Sequence, residues 1–331
     1  MPAFFVCQHA ICCKVILTSH PALNTISTVN KGELSCAHRI FQSLDLEGRD
    51  VETSQRACVA LHGCVKLHYR PPNSLLDSLV GRIAEGIVHG EPKMAMVGAR
   101  ALMSCFHLAW LPSTDTLQTM VTHIVDHSST LESRTTQAST LYAIVGLLCM
   151  YNKRQVLERL MPQLRKLVVG NPGEDLEVRQ VKVAQLACRV MDAGELVPEH
   201  VAPAYAQPVE PTLESLGQSI LQDRVAVALE SLGVFAEVRS EFPVLEGTTY
   251  VDVMCTMHDG TRVVVEVNGP YHFFVNKPIS NGATRFKNAL LTQQGYVVVP
   301  MHHGALQISI SNQEALCDKV LKLLRRHGVE V

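Results

Sequence analysis

Three aromatic residues, Tyr69, Trp110 and Tyr151, stand 41 residues apart, each closing an apolar stretch with helical spacing. A chain that repeats at that step is restricted to architectures in which one small unit stacks on the next, because a single helix pair cannot bury its own apolar face. The stretches Val51 to Tyr69, Lys93 to Trp110 and Ser133 to Tyr151 read as first helices of three units, and Ser74 to Val88, Asp115 to Ser128 and Arg154 to Val169 as their partners. Cys64 and Cys105 with Gly146, the small residues Ala57, Gly98 and Ser139, and Leu79 with Met120 and Met161 keep the register. A more degenerate fourth unit is expected to use Glu174 to Asp192 as its second helix. Residues 33–196 therefore read as an α-solenoid of helical pairs, its shared apolar positions serving inter-helix packing.

The pattern changes after a proline-rich linker at 197–211, which holds Pro198, Pro203, Pro208 and Pro211. Beyond it a helix from Leu213 to Leu232 is followed by strand-like runs Ala236 to Val244, Tyr250 to Met257 and Arg262 to Val267. Asp259-Gly260 joins the last two as a hairpin. A helix near Ala283 to Gln294, a strand Tyr296 to Pro300 and a terminal helix Gln313 to Arg326 complete a small mixed α/β domain over 212–331.

Charge narrows the function. Lys plus Arg number 29 against 31 for Asp plus Glu, which excludes a uniformly basic nucleic-acid binder and leaves local patches as the means of contacting phosphates. Lys153, Arg154, Arg159, Arg165 and Lys166 fall in a stretch whose one acid is Glu158; the same stretch also suits a plain solvated helix face. Lys319, Lys322, Arg325 and Arg326 form a second group at helical spacing. The 11 Cys lack any CxxC pair and sit in apolar surroundings, so they read as reduced core residues, with no metal site and no cofactor expected. The apolar run Ala3 to Leu17 is broken by Gln8, His9 and Lys14 and is too short to span a membrane. Residues 1–32 hold no Asp or Glu, and read as an N-terminal extension of the kind that serves as an uncleaved organellar targeting segment.

The most specific signal is Val263 to Phe273, with Glu266, Asn268-Gly269-Pro270 and His272-Phe273, followed by Asn281-Gly282-Ala283-Thr284, Lys287 and Gly295-Tyr296. This run resembles the RAP domain, from about Tyr250 to Arg326, and departs from the family pattern at Asn268, where an Asp is usual. The resemblance implies an RNA-binding protein of mitochondria, or alternatively plastids, with helical repeats ahead of the domain. Within that implication, a structural component of a mitochondrial ribosome is expected, with rRNA and neighbouring ribosomal or ribonucleoprotein subunits as partners.

The same module is similar to the restriction-endonuclease-like fold, in which carboxylates on adjacent strands and a nearby Lys hold a divalent metal for phosphodiester hydrolysis. Asp252 and Glu266 suit the carboxylate positions, but Asn268 stands where the Lys is expected. Lys287 on the following helix is a substitute, and His272 is a candidate to assist. The plainer reading has the two acids pairing with Arg262 or Arg285 across a hairpin. We therefore expect a non-catalytic RNA binder with Asp252, Glu266 and Asn268 as vestigial candidates. Its contacts are expected at Lys153, Arg154, Arg165, Lys166, His272, Arg285, Lys287, Lys322, Arg325 and Arg326. Tyr271, Phe273 and Phe274 either stack on unpaired bases or cap the sheet. The alternatives are a metal-dependent endoribonuclease of organellar transcripts and a protein-only scaffold.

Overall fold

The computed structural model describes residues 50–89, 91–206, 220–306 and 312–331. The N-terminal extension, the end of the linker beyond 206 and the helix start expected from Leu213 lie outside the described residues. Among the described residues, seven α-helices occupy the first part in order: α1 (Val51–Lys66), α2 (Asn73–Val88), α3 (Met94–His107), α4 (Thr114–Asp126), α5 (Arg134–Met150), α6 (Arg154–Leu164) and α7 (Asp175–Val190). Side-chain caps set several of the starts. Asp50 accepts from the Thr53 amide at 2.7 Å and Ser133 from the Thr136 amide at 3.1 Å, satisfying donors that the helix cannot.

Consecutive helices pack as hairpins, and α1, α3, α5 and α7 contact one another in sequence while α2, α4 and α6 form a second row. The fourth-unit helix expected as a second helix is thus a first-row element, since α7 packs chiefly on α5. Each first-row helix ends in the same turn. His68, Ala109, Asn152 and Asp192 take positive φ of 48 to 53°, and the next amide returns to the carbonyl of Cys64, Cys105, Leu148 or Cys188.

These turns are spaced 41, 43 and 40 residues apart, so the constant step read from the aromatics slips in the third unit. Tyr151 falls two places ahead of Tyr69 and Trp110, and Lys153 holds their position, as Leu148 holds that of Cys64 and Cys105 in place of Gly146. The reason is length: α5 has 17 residues and α3 has 14.

In the C-terminal part α8 (Ile220–Ser231) leads into β1 (Phe235–Val244), β2 (Thr249–Met257) and β3 (Arg262–Asn268). A two-stranded hairpin follows, β4 (Phe273–Phe274) and β5 (Lys277–Ser280), then α9 (Gly282–Gln293), β6 (Val297–His302), a short α10 (His303–Leu306) and α11 (Gln313–Arg326). The main sheet runs β1-β2-β3-β6, antiparallel but for the β3–β6 pair. As expected, Asp259-Gly260 turns β2 into β3, with Gly260 at φ 87° and the Met257 amide bonded to the Thr261 carbonyl at 2.8 Å.

One sheet face, with Val253, Val265 and Met301, forms a core with helices α8 and α11 through Val225, Leu229, Leu316 and Val320. Residues 263 to 268 of β3 are all buried, because α9 covers the opposite face. α9 in turn packs on α3, α5 and α7, so the helical rows and the α/β module share a core. Its centre is Phe106, Tyr142 and Phe286, with ring centroids 5.2 to 6.0 Å apart in edge-on geometry. Cys58, Cys64, Cys105, Cys149, Cys188 and Cys255 are free and buried, as their apolar settings predict. Among the described residues, no helix is long and apolar enough to cross a membrane.

Candidate functional site

The motif Asn281-Gly282-Ala283-Thr284 builds the start of α9 and fixes it against the helical rows. Asn281 caps the helix by accepting from the Thr284 amide at 3.0 Å, and its Nδ2 donates to the Tyr271 carbonyl at 3.0 Å. Gly282 faces the end of α3: a Cβ there would lie 1.6 Å from the Phe106 carbonyl oxygen, so only glycine permits this approach. Thr284 Oγ1 lies 2.9 Å from His272 Nδ1, tying the helix to the turn after β3.

The β4–β5 hairpin docks as well. Asn276 accepts from the Arg70 amide at 2.9 Å and donates to the Arg70 carbonyl at 2.8 Å, while the Val275 amide bonds the His68 carbonyl at 2.9 Å. Nothing in the sequence around Asn276 or Arg70 marks this pairing, which joins residues 206 positions apart.

A cleft of about 440 Å³ opens between α7 and the module, lined in part by Arg179, Glu266, His272, Phe286, Lys287 and Leu290. A more open depression of about 470 Å³ at Gly260 to Arg262 and Gln294 to Tyr296 holds no buried charge, so the first is the chemically distinctive one. Glu266 is 5% exposed, and Lys287 Nζ stands 2.7 Å from its Oε1. The contact is an ion pair by distance but is poorly aligned for a hydrogen bond, since Oε1 has no hydrogen-bond partner by angle. Lys287 also donates to the Tyr250 carbonyl at 2.7 Å. Burial pushes the Glu266 carboxyl up to about 7; Lys287 opposes the rise and Asp252 adds to it. Partial desolvation holds the His272 imidazole below its usual range, although the residue as a whole is exposed.

The acids do not pair with Arg262 or Arg285. Asp252 accepts from the Val267 amide at 2.6 Å and from Gln222 Nε2 at 2.7 Å, and Arg285 lies over the Tyr151 ring at 5.4 Å. Asn268 is 1% exposed with neither amide atom hydrogen-bonded. These residues do not fit a divalent metal. A cationic ammonium already sits on Glu266, both Asp252 oxygens accept from protein donors, and among the described residues no group of three or more His, Cys, Asp or Glu is placed to hold an ion.

The expected basic residues fall on separate surfaces. Arg154 is paired with Glu158 and Asp192, each at 2.8 Å, and Arg165 donates to the Glu195 carbonyl at 2.9 and 2.7 Å. The fold has thus brought Asp192 and Glu195 beside a stretch that holds one acid in sequence. Lys153 and Lys166 are exposed next to them. Lys322, Arg325 and Arg326 are exposed on α11, which covers the sheet face away from α9. Phe274 is buried and Phe273 stacks on His302 at 4.3 Å, whereas Tyr271 is 50% exposed and meets His68 edge-on at 6.2 Å. Of the three aromatics, Phe273 lies against the end of β6, Phe274 is buried and Tyr271 is the exposed one.

Among curated proteins no match to the chain is found. Residues 265–307 match the family model of the RAP domain, from β3 through the hairpin, α9 and β6. The match is narrower than the span read from the sequence, and Asp252 lies outside it. The chain carries a RAP domain at residues 265–307.

Proposed function

We propose that this protein binds RNA without cleaving it, as a component of an organellar ribonucleoprotein, with a mitochondrial ribosome and its rRNA as the setting. The RAP domain supports the choice of RNA, and it is the observation that carries the reading. In this reading the stacked helix pairs act as an α-solenoid and the sheet as a restriction-endonuclease-like fold whose carboxylates have been retired. The retirement is supported by Lys287 on Glu266 and by the protein donors on Asp252. Exposed Lys153, Lys166, Lys322 and Arg326 supply phosphate contacts that need no sequence readout.

The test is equilibrium binding of the full chain to labelled single-stranded RNA at rising salt. Affinity falls steeply with salt, and Lys322→Ala with Arg326→Ala lowers the slope of log K against log salt by about 1.4, at roughly 0.7 for each phosphate no longer neutralised. Absence of binding at low salt would contradict the proposal and favour a protein-only scaffold.

Magnesium-dependent cleavage of RNA, abolished in both Asp252→Ala and Glu266→Ala, would contradict the non-cleaving reading and favour a metal-dependent endoribonuclease.

A further inference from the structure

The cleft beside Glu266 has the volume of a small-ligand site, about 440 Å³, and its back wall is a matched donor and acceptor. Lys287 carries three N–H donors; the Tyr250 carbonyl takes one, Glu266 stands beside the ammonium as an ion-pair partner out of line for a hydrogen bond, and a donor is left for a ligand oxygen. Glu266, 2.7 Å away, accepts only. Phe286 and Leu290 give the cleft apolar walls, and the exposed Tyr271 and His272 stand at its rim.

A phosphate would face the buried carboxylate and is disfavoured there. A planar base is not, and among the bases guanine presents an acceptor beside two donors, the complement of this pair. Adenine, cytosine and uracil offer the carboxylate fewer donors. We propose that the cleft takes one unpaired guanine, with Lys287 donating to O6 and Glu266 accepting from N1–H and the N2 amino group. A guanine in an RNA strand and a free guanine nucleotide share this chemistry; the strand as source rests on the RNA-binding reading above.

The charged groups that act on Glu266 are Lys287 from α9 and Asp252 from β2; His272 from the turn after β3, Arg179 on α7 and Tyr142 on α5 line the same cleft. Because burial pushes Glu266 up to about 7, the ionised form that accepts two N–H groups gains population as pH rises through neutrality. His272, held below its usual range, is mostly neutral through the upper part of that window. Guanine binding therefore strengthens with rising pH.

The experiment compares binding of the full chain to labelled oligouridylates of about ten nucleotides carrying one central G, A or C, and to GMP and CMP alone. The expected result is about tenfold preference for the G strand. The preference disappears in Glu266→Gln, and also in Ala283→Trp, which fills the cleft mouth from an exposed position and leaves thermal stability unchanged. Equal binding of all strands overturns the guanine site while the RNA-binding reading stands. Binding of GMP over CMP with no strand bound supports the site and overturns the RNA reading, and no binding of either overturns both.

Discussion

At Gly282 one missing methyl decides whether α9 can reach α3. Gly282→Ala puts a Cβ into the Phe106 carbonyl, a backbone atom that no rotamer change can move aside. The expected cost is about 3 kcal/mol, read from urea denaturation of the variant; a change below about 0.5 kcal/mol would contradict this docking. Glu266 supplies a prediction in pH. Its folded pKa of about 7 lies above the ordinary value of 4.5, so the native state holds the proton more tightly and stability falls as pH rises from about 4.5 through about 7. Relative to Glu266→Gln, the protein should lose about 2 to 3 kcal/mol across that window, and parallel stability curves for the two would contradict the assignment. The helix that Asn281 caps was legible from near Ala283 onward, because helical spacing is a local property. The need for glycine at position 282 was not, because the atom that imposes it belongs to Phe106.

At the scale of elements, the β4–β5 hairpin is held to the helical rows by the Asn276 side chain and one backbone bond. Asn276→Ala removes both side-chain bonds to Arg70 and should cost about 2 kcal/mol, at roughly 1 kcal/mol per bond. Hydrogen exchange at the Val275 amide, which bonds the His68 carbonyl, should accelerate selectively; unchanged protection there would contradict the docking. Helices and strands were largely legible, since periods of 3.6 and 2 are properties of contiguous sequence. α11 spans the expected Gln313 to Arg326. The row to which α7 belongs was not legible: its apolar stripe records that it packs, not whether α5 or α6 is its neighbour. The slip at Tyr151 was hidden for a related reason, because an aromatic two residues early still falls near the end of its helix.

Across the whole molecule, charge that is contiguous in sequence is dispersed in space, and acids from other units reach it. Arg154 and Arg165 are engaged within the helical rows, while the α11 cations face away from the cleft. RNA contact by this protein is therefore expected to combine the exposed rim at Tyr271 and His272 with separate phosphate contacts, rather than to follow one basic stripe. Photo-crosslinking of the full chain to 4-thiouridine-substituted RNA, with the linked peptides mapped by mass spectrometry, tests this most directly. Crosslinks are expected between residues 269 and 284, at Tyr271 and His272. Crosslinks confined to the helical rows, or none at all, would contradict RNA binding at this rim.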